Sequence, residues 1–304
     1  MKELGGFFRE LDEVYATGQS ETVERFLMER TRETCPISLR IAAGNELGSF
    51  YRGSSRYEQS VAAFHSTAEL IVREMGEESL EYATVLNNLA GTFRLMSRYE
   101  DALSLFRQAG EIYRKNGAAH SYLYASVLNN MALVHRETGE LAQAAQYLEG
   151  ALELICAMPD RVQETAITYN NLAALYLASG EEERAEWAIR MAMDTFARCA
   201  REENVHYAAG LNSLAGLLYQ KGEYHRALEL YEQSAEYTRY FFGENLEYAA
   251  TWKNMAVVSK RMGDCVQAAH HLRRGLEVYR RFLPEDSQEL CALMRELNRL
   301  EEQG

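Results

Sequence analysis

The chain has few of the residues that interrupt helices or build covalent and metal frameworks. It contains 3 prolines and 5 cysteines in 304 residues, and no two cysteines form a CxxC pair. No histidine lies near a cysteine at metal-ligand spacing, so the sequence predicts neither a disulfide framework nor a metal site. Scattered thiols are typical of proteins kept in a reducing compartment, and we therefore expect a cytoplasmic protein.

Long apolar runs and an excess of positive charge are also missing. No stretch approaches the roughly 18 apolar residues of a membrane span, and the opening MKELGGFFRELDEVYATG lacks the pattern of a signal peptide. The 32 basic and 45 acidic residues leave a net charge of −13. A chain of this sign is repelled by nucleic acids and anionic lipids, so we expect neither as a partner.

One pattern is repeated six times along the chain. A glycine or serine punctuates each copy at intervals of 41 or 42 residues, and a small residue follows five positions later. The punctuating residues are Ser55, Ser97, Gly139, Gly180, Gly222 and Gly263, and the small residues are Ser60, Ala102, Ala144, Ala185, Ala227 and Ala268. A fixed period of this length predicts an array of stacked structural units.

Apolar residues within each copy have helical spacing. In the second copy one stripe, at i, i+3, i+4 and i+7, consists of Leu86, Leu89, Ala90 and Phe93. A second stripe follows the turn MSRYE and runs from Ala102 to Ile112. The sequence therefore predicts two helices per copy, and the small residues indicate where the two helices approach closely.

This pattern resembles the tetratricopeptide repeat. The resemblance lies in a small residue at the eighth position (Ala90), an aromatic at the eleventh (Phe93), alanine at the twentieth (Ala102) and an apolar residue at the twenty-fourth (Phe106). The longer period and the LNNLA of the first helix resemble the kinesin light chain-like subclass. The first two copies depart from the pattern by having serine where the turn usually has glycine. The resemblance implies an all-α, right-handed α-solenoid, a superhelix of helix-turn-helix units with capping helices at both ends.

Three regions follow from the repeat. Residues 1–36 are expected to form a degenerate capping hairpin around Gly18, and residues 285–300 a capping helix after Pro284. Six repeats are expected over residues 37–283, at about 37–75, 79–117, 121–158, 162–200, 204–242 and 245–283.

No catalytic motif accompanies the repeat. GxxxxGK[ST], GxGxxG, GxSxG and HExxH are all absent, and we predict a non-enzymatic protein without a cofactor. His270 and His271 point about 100° apart on a helix, so we expect one to be half-buried and the other solvated. His135 occupies the position of Phe93 and Tyr176 in their copies, which indicates a packed residue.

The candidate binding residues recur on the first helix of each copy, on the face opposite the packing stripe. Positions are counted within each repeat so that Asn45 and Asn87 are the fifth residues of the first and second repeats. In this numbering, asparagine is frequent at the fifth and sixth positions and arginine at the twelfth. The candidates are Asn45, Asn87, Asn88, Asn129, Asn130, Asn170, Asn171, Asn212, Asn254, Arg52, Arg94 and Arg136. Amides both donate and accept hydrogen bonds, which suits a peptide backbone, and arginine forks bind carboxylates. The family resemblance implies that this face lines a concave groove for a protein or peptide partner.

Alternatives remain open for both the residues and the function. One asparagine of each pair could bond across to the next repeat, and the arginines could pair with local glutamates. The leading hypothesis is a scaffold that binds an extended, acidic partner segment. A peptide-sensing regulator whose superhelix changes compactness is a second hypothesis, and self-association through the terminal helices, with GGFF as the contact, is a third.

Overall fold

A computed structural model describes residues 2–15, 17, 19–158, 160–196, 207–285 and 287–303. Every regular element within these residues is an α-helix, which confirms the predicted all-α class. The chain divides into two compact units, residues 1–202 and 203–304. Gly18 and Pro159 lie outside the described residues.

Ten helices belong to the first unit and five to the second, counted over the described ranges. The first unit contains α1 (Lys2–Tyr15), α2 (Ser20–Arg30), α3 (Ile37–Gly53), α4 (Tyr57–Met75), α5 (Leu80–Leu95), α6 (Tyr99–Lys115), α7 (Tyr122–Glu137), α8 (Leu141–Cys156), α9 (Val162–Ala178) and α10 (Glu182–Phe196). The second contains α11 (Tyr207–Gln220), α12 (Tyr224–Phe242), α13 (Leu246–Arg261), α14 (Cys265–Phe282) and α15 (Gln288–Gln303). None of these helices combines the length and hydropathy that a membrane span requires.

The first unit is built of stacked helix pairs, as the period predicts. The first helices α3, α5, α7 and α9 contact one another in sequence, each second helix packs against its own first helix, and α4, α6 and α8 also pack against the next first helix. The stripe from Leu86 to Phe93 is buried in the core between these two layers. Since each pair contacts mainly its neighbours, the unit is held together by a series of local interfaces.

All six punctuating residues end a helix in the same way. Gly139, Gly180, Gly222 and Gly263 have φ between 75° and 85°, and the two serines share the left-handed conformation, with φ 61° at Ser55 and 58° at Ser97. After α5, the Ser97 N–H donates to the carbonyl of Arg94 (2.9 Å) and the Arg98 N–H to that of Phe93 (2.8 Å). These two bonds form a Schellman motif, which satisfies the last carbonyls of the helix.

The small residues lie where the two helices of a pair cross. Ser60, Ala102, Ala144, Ala185, Ala227 and Ala268 are at most 1% exposed. In the first pair, a Cβ atom added to Gly48 would lie 2.6 Å from the Phe64 ring, so the α3 backbone touches the side chains of α4 directly. This close approach explains why the sequence keeps small residues at these positions.

Both ends of the array are covered by helices that differ from the repeats. The α1–α2 hairpin buries Phe7, Leu11, Val23 and Leu27 in one cluster with Leu47 of α3. In the second unit, α15 buries its Leu290 and Leu300 in the cluster that contains α13 and α14. These helices cover the apolar surface that an uncapped last repeat would expose.

Candidate functional site

The predicted site residues of the first unit share one surface of its first helices. We call this surface, carried by Asn45, Arg52, Asn87, Asn88, Arg94, Asn129, Asn130, Arg136, Asn170 and Asn171, the ladder face. Residues seven apart complete almost two turns of a helix, so a fifth and a twelfth position lie nearly on one line. The equivalent positions of the second unit are on α11 and α13.

Sixth-position asparagines on the ladder face bond to the preceding helix. Asn88 Nδ2 donates to Asn45 Oδ1 at 3.3 Å, and Asn130 Nδ2 donates to Asn87 Oδ1 at 3.1 Å. The same bond thus joins α3 to α5 and α5 to α7. These amides contribute to the stacking of the first helices.

Fifth-position asparagines bond in the opposite direction, to the following helix. Asn87 Nδ2 donates to Ser126 Oγ at 3.4 Å, and Asn129 Nδ2 donates to Thr168 Oγ1 at 2.9 Å. Asn87 is therefore bonded at both ends of its side chain. The amide ladder has an architectural part, and it extends from α3 to α9.

The ladder is incomplete on α7 and α9. The Oδ1 atoms of Asn129 and Asn170 are buried and have no hydrogen-bond partner within the described ranges. Asn170 is only 3% exposed, and Asn171 does not repeat the bond that Asn88 and Asn130 make. A buried acceptor without a donor costs about 1–3 kcal/mol, so these two oxygens are polar groups that the described residues do not satisfy.

Arg52 lies flat against the next first helix. Its Nη1 donates to the backbone carbonyl of Asn88 at 2.9 Å. A Cβ atom added to Gly91 would lie 2.9 Å from the same nitrogen, so the glycine provides the space that the guanidinium occupies. Arg52 therefore bridges α3 and α5.

The other two arginines have different surroundings. Arg94 forms an ion pair with Glu137 of α7, in which both side chains are about one-quarter exposed or less. Arg136 is half-buried, and its guanidinium forms neither an ion pair nor a hydrogen bond with any described residue. Burial lowers the pKa of Arg136, nearby Glu137 raises that pKa, and Arg94 lowers it. One position in three repeats thus provides a bridge, an ion pair and a cation without an ion pair of its own.

The α1 helix contributes to the N-terminal end of the ladder face. Glu46 occupies the sixth position of α3, where the next three repeats have asparagine. Burial raises the pKa of Glu46, Arg52 lowers that pKa, and Asp12 of α1 raises it. The pKa of Tyr15 is raised by burial and by this carboxylate. The first repeat therefore presents acidic groups at its end of the face.

In the second unit, the helix α15 neutralises the two lysines that α13 carries at its fifth and twelfth positions. Lys253 Nζ lies 3.0 Å from Glu289 Oε1, and Lys260 forms an ion pair with Glu296. Asn212 Oδ1 is buried without a partner in the described part of the chain, and Asn254 is half-buried. The two lysines are seven residues apart on α13, and the two glutamates are seven residues apart on α15. Each pair therefore lies along one side of its helix, and both ion pairs can form between the same two sides.

Sequence reasoning missed the partners of these cations, although the signals were present. Glu137 is the only acidic residue at the thirteenth position of the six repeats, and it follows Arg136 directly. Glu289 and Glu296 repeat the spacing of Lys253 and Lys260. Ser126 and Thr168 carry no distinguishing signal, because hydroxyl groups occur at many helix positions.

The exposure of His270 and the packing of His135 are as the sequence predicts, whereas His271 is buried more deeply than the half-burial expected. His271 is buried, its Nδ1 lies 3.1 Å from Ser259 Oγ, and burial lowers its pKa, whereas His270 is exposed. His135 is 4% exposed and stacks on Tyr147 at 5.3 Å between ring centroids. In the described ranges no group of three or more His, Cys, Asp or Glu side chains is placed to hold a metal ion.

Comparison with known proteins identifies the repeat. The tetratricopeptide repeat pattern matches residues 39–115, 123–197 and 206–281, which is most of the chain. No curated protein matches the sequence.

Three solved structures illustrate the fold. BtubC (BKLC) from P. vanneervenii is 20% identical over 79% of this chain and 95% of its own, with a TM-score of 0.52. A Rap protein complexed with Competence and Sporulation Factor is 14% identical over 100% of this chain and 99% of its own, with a TM-score of 0.58. The apo quorum sensor NprR from B. thuringiensis is 15% identical over 97% and 80%, with a TM-score of 0.53. At these identities the likeness shows a shared fold.

Proposed function

Because the chain belongs to the tetratricopeptide repeat family, we propose that it is a non-enzymatic interaction module that holds an extended segment of a partner protein on the ladder face. The observation that carries this proposal is the incomplete amide ladder of α7 and α9, where Asn129 and Asn170 keep buried oxygens without donors. We place this activity in the cytoplasm. The net charge of −13 argues against nucleic acid as the partner.

An extended segment supplies the hydrogen bonds that the ladder lacks. Its backbone presents N–H and C=O groups whatever its side chains, and a carboxamide accepts from the first and donates to the second. The last torsion of asparagine is broad, so the amides of Asn129 and Asn170 can turn toward a bound segment. Since each bond contributes about 0.5–1.5 kcal/mol net, several repeats must bind at once.

A second candidate is a regulator that senses a peptide and changes its compactness. It is favoured by the likeness to the Rap protein complexed with Competence and Sporulation Factor, which extends over both chains almost completely. Small-angle scattering distinguishes the candidates, since a regulator changes its radius of gyration on binding and a passive scaffold does not.

The test uses a synthetic array of randomised decapeptides, acetylated and amidated at their ends. Ala174, at the ninth position of α9, is half-buried on the ladder face, whereas Ala142 is exposed on the second helix α8. Ala174→Glu should reduce binding of the captured peptides at least about tenfold, because it places bulk and charge where a backbone must lie. Ala142→Glu adds the same side chain elsewhere and should leave binding unchanged. Equal binding by both variants, or no capture by the wild type, would contradict the proposal.

A further inference from the structure

The three arginines of the ladder face are not equivalent. Arg52 is bonded to the Asn88 carbonyl, and Arg94 is paired with Glu137. Arg136 has no partner of either kind in the described chain, although it is half-buried. The face therefore contains one cation that has no ion pair of its own among the described residues.

The next repeat explains why Arg136 is left alone. Arg94 finds its partner at the thirteenth position of the following first helix, which is Glu137. The thirteenth position of α9 is Ala178, and the twelfth is Leu177. Neither side chain can accept a hydrogen bond, so the place that a carboxylate occupies beside Arg94 is apolar beside Arg136.

A cation in this setting favours an incoming anion. A half-buried guanidinium has lost part of its hydration, and Arg136 shares its neighbouring carboxylate, Glu137, with Arg94. Arg94, Glu137 and Arg136 together carry one net positive charge, because Glu137 is the one carboxylate beside the two arginines. A carboxylate of a bound segment neutralises the remaining positive charge, and the Arg136 guanidinium binds this carboxylate through two parallel hydrogen bonds.

The charge of the whole chain does not prevent this contact. The net charge of −13 repels acidic segments at long range, but at physiological salt the screening length is about 8 Å. Contacts within the site therefore decide the selectivity. Of the arginines on the face, only Arg136 has its charge available for such a contact.

Building on the proposed function, we propose that Arg136 selects the partner by binding an Asp or Glu side chain of the segment held on α7 and α9. Asn129 lies two helical turns before Arg136 on the same line, so the bound acid is flanked by backbone contacts to the amides. Glu137 limits the affinity, because it competes with the acid for both arginines.

The test begins with the same peptide array and continues with single peptides. The captured decapeptides should be enriched in Asp and Glu. A labelled binder and its Asn or Gln counterpart are then titrated by fluorescence anisotropy. The wild type should prefer the acidic peptide by about tenfold, as for a hydrogen bond to a charged group. Arg136→Gln should abolish that preference, and Arg136→Lys should restore part of it.

Two further variants make the assignment specific. Arg107 is exposed on the second helix α6, so Arg107→Gln removes the same charge away from the face and should keep the preference. Glu137→Gln frees Arg94 and should strengthen binding of the acidic peptide severalfold. Melting temperatures measured by circular dichroism check that each variant is folded.

The possible failures are distinguishable. If peptides bind and Ala174→Glu removes them, but Arg136→Gln leaves the acid preference intact, then the assignment of Arg136 is wrong and the proposed function stands. If no captured peptide depends on the ladder face, both proposals are wrong. Captured peptides without acidic enrichment would also overturn the role of Arg136.

Discussion

Asn87 is bonded at both ends of its side chain, Asn129 at one end, and Asn170 at neither end within the described residues. These residues share one position in successive repeats, so position alone does not decide what a side chain does. The helix α7 offers Ser126 and Asn130 to Asn87, whereas Asn170 Oδ1 has no partner among the described residues. An asparagine ladder can therefore be architecture at one end of a unit and contain an unsatisfied amide at the other.

The arginines allow a direct stability comparison at this scale. Arg52→Gln should lower the free energy of unfolding by about 1–2 kcal/mol, because it removes the charged bridge from α3 to the Asn88 carbonyl. Arg136→Gln makes the same change at the same position of another repeat and should shift stability by less than about 0.5 kcal/mol. Urea denaturation followed by circular dichroism measures both. Equal losses would show that Arg136 is also held by the fold.

At the scale of elements, the six helix ends show how one turn is reused. The carbonyl that accepts the N–H of the punctuating residue belongs to the twelfth position in every repeat, including Arg52, Arg94 and Arg136. The Schellman turn thus orders the backbone of the same residue that presents a cation to the ladder face. This coupling places the arginines in equivalent backbone positions, although their side chains find different partners.

The serine turns predict a stabilising substitution. Ser97 has φ 58°, a conformation that costs a residue with a Cβ atom roughly 1–2 kcal/mol and costs glycine almost nothing. Ser97→Gly should raise the free energy of unfolding by about 0.5–1 kcal/mol, after the greater unfolded-state entropy of glycine is subtracted. The reverse change, Gly139→Ser, should lower it by a similar amount. Thermal unfolding tests the pair, and a loss of stability in Ser97→Gly would contradict the assigned conformation.

At the scale of the whole molecule, the last helix does more than cover apolar surface. Glu289 and Glu296 of α15 neutralise the two lysines that α13 carries at its fifth and twelfth positions. Exposed ion pairs of this kind contribute about 0–1 kcal/mol each, so the burial of Leu290 and Leu300 is the main stabilising contribution. The helix ends the array by satisfying both the apolar and the charged surface of the last repeat.

Removal of α15 should therefore have a local effect. A chain truncated after Pro284 exposes the apolar residues of α14 that contact Leu290 and Leu300, and hydrogen exchange in α13 and α14 should become markedly faster. Protection in α3 to α6 should stay unchanged, because repeat arrays are stabilised by contacts between neighbours. Amide exchange followed by mass spectrometry measures both regions. Uniform loss of protection along the chain would show that the array unfolds as one unit.

The repeat period could be predicted from the sequence because the same pattern recurs every 41 or 42 residues, and the helix pairs and the small residues at the helix crossings because they depend on residues a few positions apart. Ala102 and its equivalents are buried for the reason that their spacing indicates. The presence of the helix α15 was also predictable from its apolar stripe and from Pro284.

Tertiary structure decided which polar residues remain available. The partners of Asn87, Arg52 and Arg94 lie 36 to 43 residues away along the chain. Their distances depend on how the first helices stack, and a shift of one residue along a helix moves a side chain by about 100°. The sequence thus predicted a row of three equivalent arginines. Stacking turned one into a bridge, paired the second with Glu137 and left Arg136 without an ion pair of its own, because the matching residue of α9 is an alanine.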